Sequence, residues 1–147
     1  MFRGLQVFVS GIALAGFTLA GAAVASAQEA KQAPVMALDG DAAVITILIK
    51  PDKTADFDSV IAKYKEAFGK SDNAARKQQL AGMHFFKGAA VAQGVPYIIV
   101  VDPVMKGEEY DITRVITEVF PTEVQAVYEK YKGAFAGRGI SALQKMQ

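Results

Sequence analysis

Apolar positions along this chain recur with two spacings, and each spacing predicts an element. Over 43–50 (AVITILIK) they are continuous and β-branched, ending at Pro51, which predicts a strand. Val44, Thr46 and Leu48 face one way and Ile45, Ile47 and Ile49 the other, so both faces are apolar or nearly so. Over 54–70 (TADFDSVIAKYKEAFGK) the spacing changes to three and four. Phe57, Val60, Ile61, Tyr64 and Phe68 form one helical stripe, with Lys63, Lys65 and Glu66 off it, and Thr54 is placed to cap the first turn. Ser71-Asp72-Asn73 offers a cap for a short helix over 74–80. Two more strands are predicted over 83–88 (MHFFKG) and 96–101 (PYIIVV), the latter again apolar on both faces and ended by Asp102-Pro103.

A second helical region runs over 110–135, with a stripe at Ile112, Val115, Ile116 and Val119 and another at Val124, Val127, Tyr128, Tyr131 and Phe135. Pro121 separates the stripes, and Thr122-Glu123-Val124-Gln125 matches a capping box, so the region is expected to be two helices. Gly137 and Gly139 read as its terminators, leaving 140–146 for a short last strand. The order is β-α-β-β-α-(β). It predicts an α+β, ferredoxin-like antiparallel sheet with helices on one face. A sheet apolar on both faces leaves an oily surface that soluble monomers avoid, and a second copy is the simplest cover. A homodimer joined through the sheet face is therefore expected.

The chain opens differently. After Arg3 an Ala- and Gly-rich apolar run continues without a charge until Glu29 and closes on Ala25-Ser26-Ala27, a signal-peptidase pattern. Residues 1–27 read as a cleaved signal peptide, 28–41 (with Pro34 and Asp39-Gly40-Asp41) as a flexible tether, and 42–147 as a single domain. The rival reading, a retained anchor, lacks a basic stop-transfer cluster. Export to a periplasm or beyond the cell is expected, with no stable membrane insertion after cleavage. Loss of the leader removes Arg3 and no acid, leaving 15 basic against 15 acidic side chains. That balance gives no electrostatic reason to expect nucleic acid as a partner. With Cys 0 and Trp 0, disulfides, thiolate metal sites and cysteine nucleophiles are excluded. No metal site or cofactor is expected.

The succession AVITILIK, helix, MHFFKG, PYIIVV, helix resembles the dimeric α/β-barrel superfamily, which includes antibiotic-biosynthesis monooxygenases and haem-handling relatives. The stretches SDNAARKQQ and YDITRVITEVFPTEVQAVYEKYKGAF are similar to exported bacterial proteins of unassigned function. The resemblance implies a barrel of two sheets and a pocket for a small hydrophobic molecule between sheet and helices. The monooxygenase members commonly use Asn, Trp or His in that pocket, and this chain has no Trp.

Residue types capable of chemistry are sparse. His84, the single histidine, sits beside Phe85 and Phe86 on a predicted strand, where it would be a proton acceptor or haem ligand, or a half-buried histidine bonded to backbone. Asp102 either orients a ligand at a pocket mouth or makes a local turn, the commoner use. Tyr97, with His84 and Asp102, completes the catalytic candidates; Phe57, Ile61, Tyr64 and Phe85 are the candidate ligand-binding wall. Arg76, Lys77, Gln78 and Gln79 have only two cations and no glycine cradle, so they read as a solvated helix face. Tyr64, Tyr97, Tyr128 and Tyr131 suit ordinary core packing with hydroxyls at the rim. Glu118 and Glu123 flank Pro121 without a catalytic geometry. No phosphate-binding loop, dinucleotide fingerprint or metalloprotease motif occurs. The expectation is a non-catalytic small-ligand-binding or interaction module of the cell envelope; the alternative is a cofactor-independent monooxygenase-like or haem-handling enzyme.

Overall fold

The computed structural model describes residues 32–147. The expected signal peptide and the start of the tether, 28–31, lie outside them. Pairing of apolar strands builds a four-stranded open sheet from β1 (Ala42–Ile49), β2 (Met83–Lys87), β3 (Val95–Val101) and β4 (Phe135–Leu143). Its order is β2-β3-β1-β4, and each neighbouring pair is antiparallel. The crossovers carry four helices: α1 (Thr54–Lys70) and α2 (Ala74–Ala81) between β1 and β2, and α3 (Ile112–Val119) and α4 (Val124–Ala134) between β3 and β4. A single 3-10 turn, Pro51–Lys53, leads into α1.

Side-chain alternation divides the sheet into two unlike faces. On one, Ala43, Ile45, Ile47 and Ile49 of β1 and Val95, Tyr97, Ile99 and Val101 of β3 are buried. α1 lays its stripe over them: Phe57 meets Tyr97 edge-on at 4.7 Å, and Tyr64 faces Phe85 at 6.3 Å. Each such aliphatic side chain removed from water contributes about 1.5–3 kcal/mol. On the other face, Val44, Thr46, Leu48, Pro96, Ile98 and Val100 are only half-buried, and none of them packs into the core. Among the described residues no helix covers that side. His84 and Phe86 of β2 join it opposite Val100 and Ile98.

Three local expectations are corrected. Thr54 opens α1 as its first helical residue and does not cap it. No side chain caps α4 either; Glu123 occupies its N-cap position without a side-chain hydrogen bond. Asp111 caps α3, accepting from the N–H groups of Thr113 and Arg114 at 3.0 Å each. The last strand begins at Phe135, not near Ile140. Gly137 and Gly139 lie inside it opposite Leu48 and Thr46, and the register shifts between Leu48 and Ile49.

The described part of the tether is folded on the domain. Met36 and Leu38 are buried. The Glu109 carboxylate accepts hydrogen bonds from the N–H groups of Val35 (2.6 Å) and Met36 (2.9 Å), and Tyr110 N–H donates to the Met36 carbonyl at 2.9 Å. The periodicity of 28–41 held no sign of this, because its anchor is a residue some 70 positions away in sequence.

Candidate functional site

Of the expected site residues, the structure gathers Ile61, Phe85 and Tyr97 at one place. They line a cleft of about 150 Å³ where α1 passes the β2–β3 edge, with Asp58, Phe86 and Lys87. The Tyr97 ring is buried against Phe57 while its hydroxyl reaches the cleft and donates to Asp58 Oδ1 at 2.6 Å. Lys87 Nζ donates to Asp58 Oδ2 at 2.9 Å and stands 5.3 Å from the Tyr97 ring centroid. Sequence reasoning missed Asp58 and Lys87. They are 29 positions apart and look like solvated charges on their own elements.

The electrostatics of this trio are self-consistent. The hydrogen bond from Tyr97, then that from Lys87, holds the Asp58 carboxyl below the usual carboxylate value. Contact with Tyr97 and then Asp58 raises Lys87. Burial, then the bond to Asp58, raises Tyr97. At neutral pH the arrangement therefore presents a carboxylate, an ammonium and a protonated phenol. Each is held in its ordinary charge state, whereas a general base or nucleophile needs a value brought toward neutrality. The cleft can hold a small amphipathic molecule against Ile61 and Phe85, with polar groups at one end.

The remaining candidates are dispersed. Phe57 and Tyr64 are fully buried core residues, and the Tyr64 hydroxyl donates to the Tyr110 carbonyl at 2.6 Å. The space between sheet and helices, lined by Ile45, Ile47, Tyr64, Ile99 and Tyr110 among others, is about 10 Å³. That is no more than room for one water. His84 is exposed and lies on the sheet face away from α1. Asp102 is exposed at the end of β3, with Oδ1 3.2 Å from Lys145 Nζ. The three catalytic candidates thus share no site.

The reading of 76–79 as a solvated face holds for Lys77 and Gln78 and fails for Arg76 and Gln79, which are buried. Arg76 forks onto Glu118, with Nε to Oε2 at 2.8 Å and Nη2 to Oε1 at 2.7 Å. Its Nη1 donates to Gln79 Oε1 at 2.6 Å and to Glu108 Oε2 at 3.2 Å. Gln79 Nε2 donates to the Glu109 carbonyl at 2.9 Å. This network fastens α2 to α3 and to the loop before it. Its donors and acceptors are mutually satisfied, so it is a lock and not an anion site. Among the described residues no cluster of three or more potential metal ligands occurs.

Over the described residues, fold and site together define an α+β protein with a four-stranded antiparallel open sheet and four helices. No protein-family model, curated protein or solved structure matches the chain.

Proposed function

We propose that the protein is an exported, non-catalytic interaction module of the cell envelope that works as a homodimer, two copies meeting through the sheet faces that α1 leaves bare. The observation that carries this reading is the half-buried apolar face: Val44, Leu48, Ile98 and Val100 across the two central strands, with Phe86 56% exposed beside them. Gly137 and Gly139 extend this face without side chains, which lets a second sheet approach closely over β4. The antiparallel order β2-β3-β1-β4 supports a ferredoxin-like fold with each crossover lengthened by a second helix. Two such sheets, face to face, make the barrel that the resemblance implies.

This reading is favoured over the enzyme one because the space beside Tyr64 and Tyr110 is only about 10 Å³, and the groups that line the 150 Å³ cleft at the sheet edge are held away from neutrality. His84 faces the proposed interface instead of a pocket. Sedimentation of the purified protein tests the reading. At about 10 µM the wild type is expected to run at twice the chain mass, and Ile98→Glu at the monomer mass with an unchanged circular dichroism spectrum. A wild type that stays monomeric at that concentration overturns it.

A further inference from the structure

The aromatic stripe of α4 behaves only partly as core: Tyr131 packs against it, whereas Tyr128 and Phe135 do not. Val127 and Ala134 are buried, but Tyr128 is 43% and Phe135 40% exposed. The chain leaves the helix at Ala134 and turns into β4, which swings Phe135 out beside Tyr131 at 5.7 Å, ring edge to ring face. These three rings form the walls of a cleft of about 260 Å³, and its other two lining residues are Lys132 and Arg138.

No acid lines this cleft. Among the described residues, neither cation takes part in an ion pair. Lys132 Nζ sits 5.9 Å from the Tyr128 ring centroid, Arg138 Nη1 donates to the Met36 sulfur at 3.6 Å, and the Arg138 guanidinium also bonds the Tyr131 hydroxyl. The carboxylate nearest in effect, Asp111, acts on Tyr131 but is committed to the α3 cap. Two cations without a carboxylate partner, beside three ring surfaces, are complementary to a flat apolar body carrying one negative charge. The guanidinium fork matches a carboxylate by two parallel N–H···O bonds, and the rings offer stacking and edge contacts. The volume suits one or two fused rings.

From this geometry we infer that the α4–β4 cleft is a binding site for a small aromatic carboxylate, with Arg138 and Lys132 holding the carboxylate and Tyr128, Tyr131 and Phe135 the ring. The cleft lies on the side of the sheet that carries the helices, because Arg138 pairs with Ile47 and projects with it. It does not depend on the bare face, so this inference stands apart from the dimer.

Titration of the purified protein with cinnamate, followed by calorimetry and by aromatic NMR shifts, tests it. Cinnamate is expected to bind with Kd below about 1 mM, and cinnamamide, the same body without the charge, at least about tenfold more weakly. Arg138→Gln and Tyr128→Ala alter exposed side chains and should keep the wild-type melting temperature. Each is expected to weaken cinnamate by about tenfold. Binding by Ile98→Glu should match wild type. No binding of cinnamate at about 1 mM, equal binding of the amide, or an unaltered affinity in Arg138→Gln overturns the assignment. So does binding lost together with the dimer in Ile98→Glu.

Discussion

Arg76 shows how far one side chain's role depends on neighbours distant in sequence. Its guanidinium is 2% exposed as a residue and is held charged chiefly by the fork onto Glu118. Removing it takes the fork from Glu118 and the Nη1 donor from the Gln79 side-chain oxygen. Arg76→Ala is expected to cost about 2–3 kcal/mol in urea unfolding, less than a fully buried pair would because Glu118 is 39% exposed. Arg76→Lys should recover little of this, since an ammonium cannot reproduce the bidentate bond. Tyr64 gives a pH signature. Burial raises its phenol well above the ordinary value of 10.0. In the unfolded chain the phenol ionises near 10, while in the folded chain it stays protonated. Stability is therefore fully present below pH 10 and falls as pH rises through the interval above it. Tyr64→Phe should lower stability by about 1–2 kcal/mol at neutral pH, because the Tyr110 carbonyl loses its donor. Its melting temperature should nevertheless decline less steeply than wild type above pH 10. An equal slope in both proteins would remove Tyr64 as the cause.

Among the elements, α3 and the β2–β3 connection rest on single local devices. α3 is one of the shorter helices, and such a helix depends on its ends. Asp111 supplies that end through two N–H bonds and one from the Thr113 hydroxyl at 2.6 Å. Asp111→Ala is expected to destabilise the protein by about 1 kcal/mol, read as a shift of the urea midpoint at unchanged slope. Between β2 and β3, Gly94 has φ +136°, and a Cβ there would lie 2.6 Å from the Ile49 carbonyl oxygen. Gly94→Ala should cost more than about 1 kcal/mol, from backbone conformation and from that contact together. The same substitution at Gly133, a position in α4 where nothing lies within 4 Å, should cost far less. Two glycines in the sequence thus look alike and differ wholly in what the fold asks of them.

For the whole molecule, the two faces of the sheet set the expected behaviour. The face under α1 is buried in the core. The bare face is half-exposed, and the proposed pairing through it would make stability a function of protein concentration. The melting temperature is expected to rise as the protein is concentrated from about 1 to about 100 µM, and the rise should vanish in Ile98→Glu. A melting temperature independent of concentration across that range would count against pairing. The Asp58–Tyr97–Lys87 trio lies at the sheet edge and involves half-exposed charges. Its loss is expected to leave the melting temperature nearly unchanged.

Local pattern was enough for much of this molecule. α1 follows from a three-and-four spacing, β1 and β3 from β-branched runs, and the break between α3 and α4 from Pro121, because each is encoded by neighbours along the chain. The alternation in β1 even assigned Ile45, Ile47 and Ile49 to one face and Val44, Thr46 and Leu48 to the other. It did not say which face the helices would take. Nor did it reveal that Arg76 is buried, that Asp58 and Lys87 meet at Tyr97, that the 32–41 segment is pinned by Glu109, or that Gly137 and Gly139 lie within a strand. Those facts depend on partners brought together from 29 to 93 positions apart. A side chain's charge, burial and use are settled by what the fold sets against it, and that information is absent from any window of the chain.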